Sequence, residues 1–126
     1  MSVIPMSTDF EIGPGPVVDL ELPSVLESVP YARDLVACRV PAALRRNVEL
    51  IVSELVTNAI KHGSGPVGLR VDTDGTRVHV AVRDARPGLA NSAGDGYGLR
   101  IVDQLAAANG VERDADGKTL WAELYV

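Results

Sequence analysis

The most regular pattern in the chain lies in residues 42–63, which read AALRRNVELIVSELVTNAIKHG. Its apolar residues recur at intervals of three and four, the spacing of one buried helix face, and they are Val48, Ile51, Val52, Leu55, Val56 and Ala59. Gly63 follows the last apolar turn, where a glycine commonly ends a helix. We therefore predict an amphipathic helix over residues 42–62.

Stretches of alternating polarity predict strands on both sides of this helix. Residues 67–72 and 76–84 alternate apolar and polar side chains, and Thr-Asp-Gly joins them, a sequence typical of a hairpin turn. The same alternation predicts an edge strand at residues 17–22 and a final strand at residues 119–126.

Two shorter helices complete the predicted fold. One runs over residues 28–39 with Ser28 as its cap, and the other runs over about residues 99–108, followed by a turn at Asn109-Gly110. We predict the α+β class, with a two-layer sandwich in which about three helices cover one face of a mostly antiparallel sheet.

The size and charge of the chain narrow the classes of function. Its 126 residues fit a single domain, placed at residues 17–126 after a flexible tail of residues 1–16 that contains three prolines. The formal net charge of −5 disfavours binding to nucleic acid or to an anionic membrane surface. No apolar run approaches the roughly 20 residues of a membrane span, and the first residues lack the features of a signal peptide. We expect a cytoplasmic protein.

A polar pair stands out on the long helix. Glu54 and Asn58 are four residues apart and so share one helix face, which Lys61 and His62 continue. Such residues often form only a solvated face, but asparagine is a poor residue inside a helix. A carboxylate and an amide placed in this way supply a possible general base and an oxygen ligand for Mg²⁺.

Asp84 ends the second hairpin strand. Strand alternation places it on the same face as Val78, Val80 and Val82, so its carboxylate points toward the helices and requires a hydrogen-bond donor there. An amino group on a flat ligand is one such donor. The other interpretation is that the strand has already ended and Asp84 begins the following turn.

A glycine-rich segment, GDGYGL at residues 94–99, precedes the third predicted helix. Glycines let the backbone approach a ligand closely, and a helix N-terminus offers unpaired N–H groups to an anion. The segment lacks the lysine of a Walker loop and no βαβ unit surrounds it. A phosphate-binding loop and a flexible loop both remain open.

Together these three motifs resemble those of the GHKL ATPases, the group that includes histidine kinases and gyrase. Residues 53–63 are similar to the N box of that group, residues 84–88 to its first glycine box, and residues 96–102 to its second. The similarity is strongest to the anti-sigma-factor serine/threonine kinase branch, which includes small ATP-binding regulators of actinobacteria.

The resemblance implies a Bergerat-type fold that holds ATP and Mg²⁺ between the helices and the sheet. Asp84 would accept a hydrogen bond from the adenine amino group, and Gly88 would shape the base pocket. Asn58 would coordinate Mg²⁺, and Glu54 would be the catalytic base or would orient the nucleophile. The other cofactor-binding residues that it implies are Lys61, Gly96, Tyr97, Gly98, Leu99 and Thr119.

Thr119 is the least defined of these residues. The family often carries a Gly-Thr pair at the start of the final strand, whereas here Lys118 separates Gly117 from Thr119. Alternation along the strand leaves open which of its two faces is the inner one.

The resemblance further implies a regulator that phosphorylates a serine of an anti-sigma-factor antagonist, binds a sigma factor, or does both. It also implies a homodimer. A second interpretation is a non-catalytic protein-binding switch that depends on nucleotide, and a third is a degenerate relative that binds no nucleotide.

Overall fold

The computed structural model describes residues 16–86 and 97–126, which form five strands and three helices. The strands are β1 (Pro16–Leu22), β2 (Val67–Thr73), β3 (Arg77–Asp84), β4 (Ala108–Asp114) and β5 (Gly117–Tyr125). The helices are α1 (Ser28–Ala37), α2 (Arg45–His62) and α3 (Tyr97–Leu105), and a 3-10 turn, Ala42–Leu44, leads into α2.

The strands form one sheet with the order β1-β2-β3-β5-β4. Each neighbouring pair in these described residues is antiparallel. Helix α2 is central in the second layer, since it packs against α1 and α3 and contacts β2, β3 and β5. The predicted two-layer α+β sandwich is therefore confirmed.

The core lies between α2 and the inner face of the sheet. The helix contributes the six apolar residues of the predicted stripe, all of them at most 1% exposed. The sheet contributes Val67, Leu69, Val71, Val78, Val80, Val82, Leu120, Ala122 and Leu124. Burying each of the larger side chains stabilises the fold by about 1.5–3 kcal/mol. This packing fixes which residues of β2, β3 and β5 face α2.

The first helix starts differently from the prediction. Its N-cap position is Glu27, without a side-chain cap, and Ser28 is already helical. The Ser28 hydroxyl is buried and donates a hydrogen bond of 2.7 Å to the carbonyl oxygen of Pro23. Ser28 as a cap is thus wrong, because its hydroxyl instead ties α1 to the segment that follows β1.

The predicted turn at Asn109-Gly110 is also wrong. Both residues lie inside β4, where Asn109 pairs with Ala122 and Gly110 with Trp121. A Cβ at Gly110 would lie 2.9 Å from atoms of the Trp121 indole ring. The glycine therefore serves close contact across the two strands and does not mark a turn.

Pro16 is the first residue of β1, one residue before the predicted strand, and residues 1–15 of the predicted tail lie outside the described residues. None of the helices in residues 16–86 and 97–126 has the length and hydropathy that a membrane crossing would need.

Candidate functional site

The end of α2 meets the end of β3. Just beyond the strand, the backbone N–H of Ala85 donates to the carbonyl oxygen of Ser64 at 2.8 Å. The Arg86 guanidinium donates to the carbonyl oxygen of His62, the last residue of α2, at 2.7 Å. These bonds hold the C-terminal end of β3 against the C-terminal end of α2.

Asp84 is enclosed at this junction, with 3% of its surface exposed. Its Oδ1 accepts a hydrogen bond of 2.8 Å from the backbone N–H of Arg86. The side chain lies on the inner face, as strand alternation predicts, while Oδ1 also supports the first residues after the strand. The result is a buried carboxylate in a fixed position, an acceptor for a ligand that carries N–H groups.

Gly63 allows the carboxylate to lie there. A Cβ at Gly63 would overlap the Asp84 carboxyl carbon and would lie 2.6 Å from Oδ2. The backbone of Gly63 is extended, with φ −98° and ψ −162°, which any residue can adopt. The glycine stands at the helix end, as predicted, but its role is close approach to Asp84 and not a left-handed conformation.

Asn58 is the second buried polar residue of this region, with 5% of its surface exposed. Its amide oxygen Oδ1 makes no hydrogen bond with any described residue. An unsatisfied buried acceptor costs about 1–3 kcal/mol, and an unseen ion or ligand is a common explanation. An amide oxygen is a ligand that Mg²⁺ accepts, so the residue present fits that cation.

Glu54 lies one turn before Asn58 on α2 and is half-buried. At 1.5 Å per residue, Asn58 stands about 7.5 Å and Glu54 about 13.5 Å along the helix axis from Gly63. Along the axis of α2, the order from the end next to Asp84 is therefore Asn58 and then Glu54. Lys61, in the last turn of α2, is exposed.

The third motif, residues 94–99, extends into the start of α3. This helix begins at Tyr97, so Gly98 and Leu99 belong to its first turn, and Leu99 packs against the core. First-turn N–H groups lack acceptors within the helix and favour anions. Gly88 and Gly96 lie outside the described residues, as does the side chain of Tyr97.

The structure does not bring Thr119 to this region. The Thr119 hydroxyl lies on the outer face of the sheet, where it accepts a hydrogen bond of 3.2 Å from Arg83. Arg83 also donates to Asp114 at 2.9 Å, and that bond holds the pKa of the Asp114 carboxyl below its ordinary value. It is Lys118 that faces inward, 5% exposed and in register with Asp84.

The sequence did not predict that two residues lie next to Asp84, Lys118 at the start of β5 and Gly63 at the end of α2. Lys118 alternates in step with Leu120 and Ala122, but only the structure shows that this is the buried face of β5. No local pattern signals the role of Gly63, since it depends on a residue on another strand.

Comparisons with known proteins show the family of this chain. Residues 22–124 match the family model of the histidine kinase-like ATPase domain, and the chain belongs to that family. This confirms the resemblance to the GHKL ATPases. A search of curated proteins finds no match.

One solved structure with a similar fold contains the RsbU and RsbW domains of Rv1364c from Mycobacterium tuberculosis. It is 19% identical, with a TM-score of 0.63 over 88% of this chain. The match spans 32% of the length of that chain, about one third. At this identity the similarity shows a shared fold.

Proposed function

We propose that the chain, as a member of the histidine kinase-like ATPases, binds ATP and Mg²⁺ where the C-terminal end of α2 meets the C-terminal end of β3 and the N-terminal end of β5. We further propose that it transfers the γ-phosphoryl group to a serine of an anti-sigma-factor antagonist. The observation that carries the proposal concerns Asn58. Its buried amide oxygen has no hydrogen-bond partner among the described residues, and Asn58 belongs to α2, whose C-terminal end lies next to Asp84.

The base end of the site is proposed at Asp84. An ionised carboxylate only accepts hydrogen bonds, so it selects a ring that carries an amino group. Because the Arg86 N–H holds the carboxylate in the space that Gly63 leaves, the carboxylate loses little conformational freedom when a base binds. Gly88, outside the described residues, is proposed to complete the base pocket.

The phosphate end is proposed at Asn58 and the start of α3. Asn58 would hold Mg²⁺ together with phosphate oxygens, an arrangement that Mg²⁺ commonly adopts in nucleotide sites. The bound cation would neutralise charge on the phosphates. The first-turn amides of Gly98 and Leu99 would face the phosphate oxygens, as helix N-termini often do.

The other residues proposed to contact the nucleotide are Lys61, Gly96 and Tyr97. Lys61 is exposed at the end of α2, so its ammonium is available to the ligand.

Glu54 is proposed as the catalytic base. In the transfer, the serine oxygen forms a bond to the γ-phosphorus as the bond from that phosphorus to the bridging oxygen breaks. ADP leaves, and the serine proton passes to the Glu54 carboxylate. The half-buried position of Glu54, one turn before Asn58 on α2, supports this role, because the phosphoryl group would lie between them. Catalysis in this class comes mainly from positioning and charge stabilisation.

The proposed partners are an anti-sigma-factor antagonist and a sigma factor, with the chain acting as a cytoplasmic homodimer. The similar structure from Mycobacterium tuberculosis joins an RsbW domain to an RsbU domain in one chain. That arrangement supports a role in protein regulation for the present chain.

The test has two stages. Calorimetry measures ATP binding with and without Mg²⁺, and we expect Asn58→Leu to remove the Mg²⁺ dependence. Transfer from γ-labelled ATP to candidate antagonists is then measured for the wild type and for Glu54→Gln. We expect a fall of about 100-fold or more in transfer with unchanged ATP binding, because a positioned base contributes about 10²–10⁴ in rate.

The matched control is Glu49→Gln, another half-buried glutamate on α2, which should leave transfer unchanged. Tight ATP binding without transfer to any antagonist would defeat the kinase and favour the protein-binding switch. Absence of ATP binding would defeat the proposal as a whole.

A further inference from the structure

A cavity of about 560 Å³ lies between β1 and the start of α1. Its wall is mainly apolar, and the apolar residues that line it are Leu20, Leu22, Pro23, Val25 and Tyr31. Val25 is 46% exposed and Tyr31 is 57% exposed, and Leu26 adds a third exposed apolar side chain in the same segment. Together these residues form the β1–α1 groove. Apolar side chains that are grouped on a surface, unlike single ones, are typical of an interaction site.

Hydrogen bonds fix the shape of the segment that leads from β1 into α1. The carbonyl oxygen of Pro23 accepts bonds from the Ser28 hydroxyl at 2.7 Å and from the Val25 N–H at 2.8 Å. The Ser28 N–H donates in turn to the carbonyl oxygen of Val25 at 3.0 Å. A site that is ordered in advance loses little conformational entropy when a partner binds, so the groove is suited to binding.

The groove lies beside a strand edge that no described residue covers. β1 is the first strand in the order of the sheet, and it pairs with β2 alone among the described strands. Leu20 and Leu22 belong to its inner face, whereas Asp19 and Glu21 belong to its outer face. An extended segment added to this edge would alternate in the same way, with every second side chain directed toward the groove.

The charges at the groove are all negative. Glu21 and Glu27 line it and are exposed, and neither forms an ion pair with another described residue. Asp19 lies 3.8 Å from Arg70, which is closer to Asp72 at 3.2 Å. Within the described part of the chain, no lysine or arginine lines the groove. These charges favour an occupant whose polar residues are basic.

The same charges disfavour two other occupants. A second copy placed edge to edge along β1 would bring Asp19 and Glu21 of both chains to one face of the joined sheet, and like charges opposite each other are destabilising. Residues 1–15, which precede β1, include Asp9 and Glu11 but no lysine or arginine. This segment therefore lacks the complementary charge.

We propose that the β1–α1 groove binds an extended segment of another protein in which apolar residues alternate with lysine or arginine. The segment adds to β1 as a further strand. Its apolar side chains enter the groove, and its basic side chains meet Asp19 and Glu21 on the outer face. The proposal goes beyond the nucleotide site and does not depend on it.

The test measures the binding of three fluorescein-labelled peptides of seven residues, the length of β1, by fluorescence anisotropy. The first peptide alternates leucine and lysine, the second has glutamate in place of lysine, and the third has serine in place of leucine. We expect the first to bind at least about tenfold more tightly than either of the others, and to bind more weakly as salt is added. If the second or the third peptide binds as tightly as the first, the proposal is wrong, whether or not any variant folds.

Substitutions in the groove then locate the bound peptide. Val25→Ser removes an exposed apolar contact and should weaken binding of the leucine-lysine peptide about fivefold. Glu21→Gln together with Glu27→Gln should weaken it about tenfold at low salt and reduce its salt dependence. The matched controls are Val111→Ser and Glu112→Gln, which replace exposed residues of β4 at the opposite edge of the sheet and should leave peptide affinity unchanged.

Three outcomes for the variants would overturn the proposal. One is unchanged peptide affinity in both groove variants. Another is a Val25→Ser chain that changes from dimer to monomer in analytical ultracentrifugation, which would assign the groove to a second copy. The third is tighter peptide binding by Phe10→Ser in the full chain, which would assign the groove to residues 1–15. Calorimetry with ATP separates this proposal from the proposed function, because ATP binding without peptide binding removes only the former and peptide binding without ATP binding removes only the latter.

Discussion

Replacing Gly63 by alanine tests whether the junction of α2 and β3 positions Asp84. The new Cβ would overlap the Asp84 carboxyl carbon and would lie 2.5 Å from the carbonyl oxygen of Ala59, closer than real Cβ atoms come to other heavy atoms. The backbone at Gly63 is extended and suits alanine, so the expected cost is displacement of the Asp84 carboxylate and of the Ala59 carbonyl group, and not an unfavourable φ and ψ at residue 63.

The magnitude follows from two opposing effects. Overpacking a closed site costs about 1–3 kcal/mol, and loss of a glycine from the unfolded chain returns about 0.4–1 kcal/mol. We expect Gly63→Ala to lower the free energy of unfolding by about 1–2 kcal/mol. A displaced Asp84 would lose a charged hydrogen bond to the base, so ATP affinity should fall about 10- to 100-fold.

The assay combines urea unfolding with calorimetry of ATP binding. Gly68→Ala is the matched control, since its Cβ would lie 3.6 Å from the Cβ of Arg83, an ordinary contact, and ATP affinity should not change. In an Asp84→Ala background, Gly63→Ala should destabilise the protein less, because the carboxylate is absent. Wild-type ATP affinity in Gly63→Ala, or an equal cost in both backgrounds, would refute the reasoning.

Three further predictions concern single side chains. Asp84→Asn keeps an oxygen that accepts the hydrogen bond from the Arg86 N–H, so the free energy of unfolding in urea should change by less than about 1 kcal/mol. The ATP dissociation constant should rise about 10- to 100-fold. Unchanged ATP affinity would contradict the role of Asp84 at the base. Ser28→Ala removes the hydrogen bond to Pro23 and should cost about 1 kcal/mol in urea unfolding, and no change would show that this bond does not stabilise the α1 connection. The hydrogen bond from His79 is the main cause that lowers the pKa of Glu123 from its ordinary 4.5, so its stabilisation is present above that pH and is lost as pH falls through the lowered pKa. Glu123→Gln should therefore flatten the loss of thermal stability on acidification, and identical acid profiles would contradict this account.

The sequence was sufficient for those features that depend on local periodicity. The apolar stripe of α2 and the alternation of β2 and β3 recur within a few residues, and burial of one side follows directly from that spacing. The same argument favoured the inner face of β3 for Asp84 and left open that it only begins the turn, and the structure has it buried at the end of the strand. Three ordered motifs also sufficed for the family, because their combination is far more specific than any one of them.

Other features were decided only by contacts between distant parts of the chain. Asn109-Gly110 has the local composition of a turn, yet the ring of Trp121 on the neighbouring strand places it in β4. Gly63, at the end of α2, leaves the space that the Asp84 carboxylate on β3 occupies. No sequence pattern around residue 63 indicates this contact.

The inner face of β5 was settled in the same way. Alternation alone offered two faces for Lys118 and Thr119, and the structure places Lys118 on the inner face, in register with Asp84 on β3. Periodicity tells which residues of one segment share a side. Which side meets the helices, and which residue lies opposite, depends on register and packing between segments, and these exist only once the chain has folded.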